Sequence, residues 1–237
     1  MVRHGTQVAN TKLIVSSDAS KNTEVRVKIS EPPAPVATTT EATSAAAQTD
    51  TNTLAVGSLA PEFETDAWTD GKTRKMFDYR GKVVVLDFWG TWCSPCVNAI
   101  PAMQAVADRF KPQGVVFLGI HTADGDVAQI NKLKEMKGWS TPSCVDRGTS
   151  ITDGKTCSAY GIRGYPSIII VDMTGRVAYN SGIRPKDLSV FMAEMGELAK
   201  EYGIPWPIDE KLPEEQLKNL MNSLLQVRIG REIERAL

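Results

Sequence analysis

The stretch Val83-Val84-Val85-Leu86-Asp87-Phe88-Trp89-Gly90-Thr91-Trp92-Cys93-Ser94-Pro95-Cys96 decides how the chain is read. Val83 to Leu86 are continuously apolar, the pattern of a central strand buried on both faces. That strand then carries Asp87, and burying a carboxylate costs free energy unless it is paired, hydrated or kept neutral. The two cysteines downstream supply a reason for it. Strand gives way to a predicted helix over residues 94–110, with Pro95 in the first turn, where its missing N–H had no helical partner. Cys93 then stands at the helix N-terminus, where unpaired N–H groups and the macrodipole favour an anion, so its thiol should titrate below the ordinary value of about 8.5. One helical turn brings Cys96 beside it but farther inside, the arrangement of an attacking and a resolving cysteine. Asp87 is placed to accept or relay the proton that Cys96 loses as it attacks a mixed disulfide.

Working outward, strands are expected over residues 82–89, 115–121, 167–172 and 177–180, and helices over 94–110, 126–137 and 186–202. Strands alternating with helices mean an α/β sheet, with Gly175-Arg176 turning an antiparallel hairpin at its edge. A domain over 57–203 carries this pattern. Before it, residues 1–30 read as a β-hairpin arm, with strands over 11–17 and 23–29, and residues 31–56 as a disordered linker rich in Pro, Ala and Thr. The arm resembles the last two strands of an immunoglobulin-like sandwich; the other reading is an arm that is disordered or pairs with the main domain's edge. After it, residues 204–237 form a helical extension in which Leu217, Leu220, Met221, Leu224 and Leu225 share a face, fit for core packing or dimerisation.

Composition narrows the function classes. Lys+Arg 27 against Asp+Glu 28 leaves a net charge of -1, which removes the positive field that nucleic acid or an anionic membrane would need. No stretch approaches the roughly 18 apolar residues of a membrane helix. Met1 to Gly5 opens polar, with no apolar run and cleavage site, an opening that reads as that of a fragment or a mis-set start. Cys 4 is too few for a disulfide-stapled scaffold at 237 residues.

The chain resembles the thioredoxin-fold proteins, and within them the envelope thiol-disulfide oxidoreductases of the TlpA/ResA type. The resemblance rests on Val85-Leu86-Asp87-Phe88-Trp89 leading into Trp92-Cys93-Ser94-Pro95-Cys96, on Pro101 after the second cysteine, and on Gly164-Tyr165-Pro166-Ser167 before a strand. Ala60-Pro61-Glu62-Phe63, Asp70-Gly71-Lys72 and Gly81-Lys82-Val83 match the redoxin-like opening of that subfamily. The resemblance implies a thioredoxin fold with a helix-strand insertion between Cys96 and Pro166. It implies a redox-active Cys93–Cys96 disulfide, no cofactor and no metal. It implies protein disulfides as substrates, an upstream thiol protein as electron donor, and a periplasmic or otherwise extracytoplasmic location. A cis bond between Tyr165 and Pro166, ahead of the last parallel strand, would set the Tyr165 backbone facing Cys93, ready to pair with an extended substrate segment. Trp92 joins Tyr165 and Pro166 as a substrate-binding residue, while Trp89 packs beneath. With Ala99 where close relatives of this type carry Glu, Asp87 bears the acid-base role alone. Without a His between the cysteines, the pair reads as a reductant.

Cys144 and Cys157 lie outside this pattern. Three readings stand for them: a disulfide across the intervening loop, a second redox pair, or two free thiols packed as small hydrophobes. His121 reads as a solvated loop histidine and His4 as an unpaired arm residue, and Asp124, Asp126 and Asp146 as turn and helix-cap residues. Two other functions compete for the same residues. A thiol peroxidase of the peroxiredoxin type needs a Pro and a Thr spaced before its cysteine, and Thr91 stands too close. A metal-binding module needs a second short-spaced pair, which Cys144 and Cys157 do not make.

Overall fold

The computed structural model describes residues 54–182, 188–208 and 212–237. The expected hairpin arm and nearly all of the expected linker lie outside the described residues.

The sheet has six strands: β1 (Thr65–Trp68), β2 (Val84–Trp89), β3 (Val116–His121), β4 (Ser143–Asp146), β5 (Ser167–Val171) and β6 (Val177–Asn180). Their spatial order is β1-β4-β3-β2-β5-β6. Strands β2, β3 and β4 run parallel; β1 joins β4, β5 joins β2 and β6 joins β5 antiparallel. The expected strand after Pro166 thus exists but is not parallel. The helix leading back to it, α3 (Lys155–Ala159), is a single short element, whereas a parallel return needs a crossover of a dozen or more residues, usually through a helix long enough to span the sheet.

Helix α1 (Ser94–Phe110) follows β2, and α2 (Val127–Lys137) follows β3 with Asp126 as its N-cap, the Asp126 carboxylate accepting the Gln129 N–H at 2.8 Å. Alternate residues of β2 feed opposite sides of the sheet, as a period of two requires. Val84, Leu86 and Phe88 pack with Trp68, Cys144, Cys157, Tyr160 and Ile169. On the other side Val85 packs against Met103, Val106 and Phe110 of α1, and Trp89 against Cys93, Cys96 and Ile100.

Two further helices complete the described chain, α4 (Leu188–Glu201) and α5 (Glu214–Ala236). Sequence pattern placed the domain's end at 203, after α4. Beyond that point, Ile229, Ile233 and Ala236 of α5 are buried in the same cluster as Val85, Val106, Phe110 and Ile170. Each fully buried aliphatic side chain of this kind contributes about 1.5–3 kcal/mol. Helix α4 instead packs onto α5, through Met195, Leu198 and Ala199 against Leu224. One face of α5 is thus buried, and the ion pair of Arg109 with Glu234 at 2.6 Å ties its far end to α1. No helix among the described residues is long and apolar enough to cross a membrane.

Candidate active site

The site is built at the C-terminal end of β2, where the strand passes through the turn Gly90–Cys93 into α1. The Cys93 N–H donates to the Gly90 carbonyl at 3.0 Å, closing that turn. Cys93 is the N-cap of α1, and its sulfur accepts the Cys96 N–H at 3.3 Å. The side chain thus takes the place of a capping hydroxyl, with a helix N-terminus directed at it. Cys93 and Cys96 form a disulfide with Cα atoms 5.2 Å apart. Each cysteine is 4% exposed in this state, so the expected difference in depth is not seen in the oxidised pair. Tyr165 packs against the cluster that holds both cysteines.

Asp87 lies on the same side of β2 as Trp89 and is buried. Desolvation alone pushes its carboxyl up to about 7, so it changes protonation near neutrality. Its register neighbour on β3 is Gly119, and the register neighbour of Gly119 on β4 is Ser143. Where any larger side chain would stand at Gly119, the Ser143 hydroxyl and the Trp89 indole nitrogen approach instead, and neither has a hydrogen-bond partner among the described residues. The one apolar side of the sheet that carries the disulfide therefore also carries a short polar row.

Trp92 is 49% exposed, and its indole N–H donates to the Thr122 hydroxyl at 3.2 Å. Its ring meets that of Tyr165 edge-on, with centroids 5.6 Å apart. The Tyr165–Pro166 bond is cis. The loop carrying it lines a cleft of about 260 Å³ together with Ile162, Arg163, Asn180 and Ser181. The structure thus brings Cys93, Cys96 and Tyr165 into one cluster, with Trp92 against the Tyr165 ring, Pro166 following Tyr165 in the loop and Asp87 lying on the same side of β2 as Trp89. Trp89 is buried below them, between His121 and Trp139.

His121 departs from its expected solvated role: it is fully buried at the end of β3. Burial lowers its pKa, against an opposing hydrogen bond with the Thr122 carbonyl and the nearby Asp124 charge. The Thr91 N–H donates to His121 Nε2 at 2.9 Å, and Nδ1 lies 2.8 Å from the Thr122 carbonyl. Because Nε2 accepts, the ring is neutral with its proton on Nδ1. The parallel pairing of β3 with β2, which sets His121 opposite Trp89, is the signal that could have found it.

Cys144 and Cys157 are not bonded; both are free and buried on the opposite side of the sheet. Burial raises the Cys144 thiol pKa well above its ordinary value, with the Asp146 charge adding to it. Cys157 is pushed up to about 12 by burial, although the Tyr165 hydroxyl, 3.4 Å from its sulfur, acts the other way. Neither thiol ionises readily, which fits the third of their readings. Asp146, the last residue of β4, accepts the Thr156 and Cys157 N–H groups with its carboxylate, each at 2.8 Å, in the first turn of α3, whose N-cap is Gly154.

Residues 56–180 match the AhpC/TSA family. The thiol-disulfide oxidoreductase ResA of Geobacillus thermodenitrificans is 33% identical over 129 residues, covering 54% of this chain and 70% of that protein. ResA of Bacillus subtilis is 33% identical over 124 residues, 52% of this chain and 65% of that protein. Among solved structures, the thioredoxin domain of a thiol-disulfide oxidoreductase from Bacteroides vulgatus superposes with a TM-score of 0.49 at 27% identity, covering 60% of this chain and 98% of that one.

Proposed function

The chain belongs to the AhpC/TSA family and, within it, to the ResA-like thiol-disulfide oxidoreductases, and from that premise we propose that it reduces protein disulfides with Cys93 as nucleophile and Cys96 as resolving thiol. The observation that carries this is the Cys93 sulfur at the N-cap of α1, accepting the Cys96 N–H and bonded to Cys96.

In the reduced protein the Cys93 thiolate attacks one sulfur of the substrate disulfide, and the other substrate sulfur leaves as a thiolate. Cys96 then gives up its proton and attacks the Cys93 sulfur of the mixed disulfide. The second substrate sulfur leaves, two electrons have passed to the substrate, and the Cys93–Cys96 disulfide remains. Asp87, with its carboxyl near 7, takes the Cys96 proton. Trp92, Tyr165 and Pro166 form the face on which the substrate segment lies, the Tyr165 backbone pairing with it as an added strand. An upstream dithiol protein restores the reduced state, and the work is extracytoplasmic. The peroxidase alternative lacks its sequence pattern around Thr91.

A Cys96→Ser variant tests the assignment, since it stops the cycle at the mixed disulfide. The expected result is a covalent adduct with a disulfide-bonded protein such as insulin, released by dithiothreitol and absent when Cys93 is also serine. An adduct that survives loss of Cys93 overturns the roles. An equilibrium potential nearer the roughly -270 mV of a reductant than the roughly -120 mV of a strong oxidant supports the direction, and the reverse breaks it.

A further inference from the structure

We propose that His121 is a positioning residue for the nucleophile: its imidazole fastens the turn that carries Cys93 to the end of β3. The inference rests on Cys93 being the attacking thiol.

The turn Gly90–Cys93 presents three N–H donors that decide where the Cys93 sulfur stands. The Cys93 N–H closes the turn on Gly90. The other two leave the turn and end on neighbouring residues of the adjacent strand's exit, the Thr91 N–H on His121 Nε2 and the Trp92 indole N–H on the Thr122 hydroxyl. Thr122 is held in turn, its own N–H donating to the Trp89 carbonyl at 3.1 Å and its hydroxyl to Asp124 at 2.5 Å. The imidazole itself is fixed from three sides. Nδ1–H is donated to the Thr122 carbonyl, the ring stands edge-on to Trp89 at 4.9 Å, and Gly125 lies against its far edge. A Cβ at Gly125 would come within 2.5 Å of Nδ1 and 3.0 Å of Cε1. Gly125 does not have a positive φ, so what it provides here is room for the ring, not an unusual backbone.

The consequence is felt when the disulfide opens. The Cys93–Cys96 bond then no longer holds the sulfur, and the influence of the α1 N-terminus on a thiolate fades within a turn of the helix. The strap from Thr91 to His121 does not depend on the disulfide, so it keeps the reduced sulfur where the helix N-terminus stabilises its charge.

Three variants separate positioning from mere core packing: His121→Leu, which removes the acceptor; His121→Gln, whose amide oxygen reaches to about the place of Nε2; and Gly125→Ala, which keeps the imidazole but displaces it. The readouts are the Cys93 thiolate absorbance titrated in a Cys96→Ala background, and the single-turnover rate of insulin reduction. His121→Leu is expected to raise the Cys93 titration by about one pH unit and to slow reduction about tenfold near neutral pH. His121→Gln should stay within about threefold of the parent, and Gly125→Ala should shift in the direction of His121→Leu. If His121→Leu does not fold, Gly125→Ala carries the same two readouts. Unchanged Cys93 titration in both His121→Leu and Gly125→Ala, with only the melting temperature lowered, overturns the role. So does a His121→Gln variant no better than His121→Leu. A Cys93 titration that responds as stated, in a protein that reduces no disulfide, breaks the proposed function and leaves the positioning role standing.

Discussion

The sheet separates two pairs of cysteines whose surroundings are electrostatic opposites. Cys93 and Cys96 lie on the α1 side, at a helix N-terminus, with a backbone N–H directed at the Cys93 sulfur. Cys144 and Cys157 lie on the other side, in an apolar cluster with the Asp146 carboxylate for a neighbour. That second carboxylate occupies the N-terminus of α3, so the same kind of helix end that favours a thiolate in one place is already filled by an anion in the other. Reactivity therefore follows first from burial, which raises Cys144 and Cys157, and then from what stands at the helix end, and four cysteines in one domain need not be four redox groups.

Alkylation would break this contrast most directly. In the reduced protein at pH 8, iodoacetamide is expected to modify Cys93 at least about a thousandfold faster than Cys144 or Cys157, because a thiol pushed up to about 12 is almost wholly protonated there. Peptide mapping after timed quenching gives the rates, and comparable labelling of both pairs would end the comparison. Asp87→Asn sharpens it from the side of the disulfide. A buried carboxyl near 7 keeps its proton in the folded state over a range where the unfolded chain, titrating near 4, has lost it. Stability then falls as pH rises from about 4 to about 7 and is level above. Asn has no proton to lose, so the variant should equal the parent near pH 4 and exceed it at pH 8 by up to about 4 kcal/mol. Urea midpoints at the two pH values decide, and a pH-independent difference would remove Asp87 from the acid-base account. The smallest effect is expected for Cys144→Ala: a loss of about 1–2 kcal/mol from the small cavity, with insulin reduction within about twofold of the parent. A tenfold loss of activity would make the second pair part of the chemistry.

The reactive stretch was the part of the molecule that the sequence laid open. The apolar run ending in Asp87, the two cysteines and the proline at 95 each carry a local rule, and α1 spans Ser94–Phe110 as its pattern predicts. The turn between Asp172 and Val177 and the strand after it are local in the same sense. What escaped reading depends on partners distant in sequence. Strand β1 is short, and its pairing with β4 is what makes it a strand. His121 looks like a loop residue until β3 is laid beside β2 and Thr91 is found against its ring. Cys144 and Cys157 share a cluster without sharing a bond, and spacing along the chain cannot tell these apart. The place of α5 escaped for the same reason, since α4 and α5 are both amphipathic and only packing tells which one lies on the sheet.

That last feature has a temporal side. Helix α5 follows every other described element in sequence, yet it covers Val106 and Phe110 of α1, far back along the chain. Contacts between such distant segments form late, because the intervening loop must be closed before they are rewarded. While the chain is incomplete, one flank of α1 is bare and sticky, and the dithiol at the opposite end of the same helix already exists. The protein is thus exposed to clumping, and to joining the wrong cysteine, until α5 docks. A chaperone or a slow-folding trap would find it there.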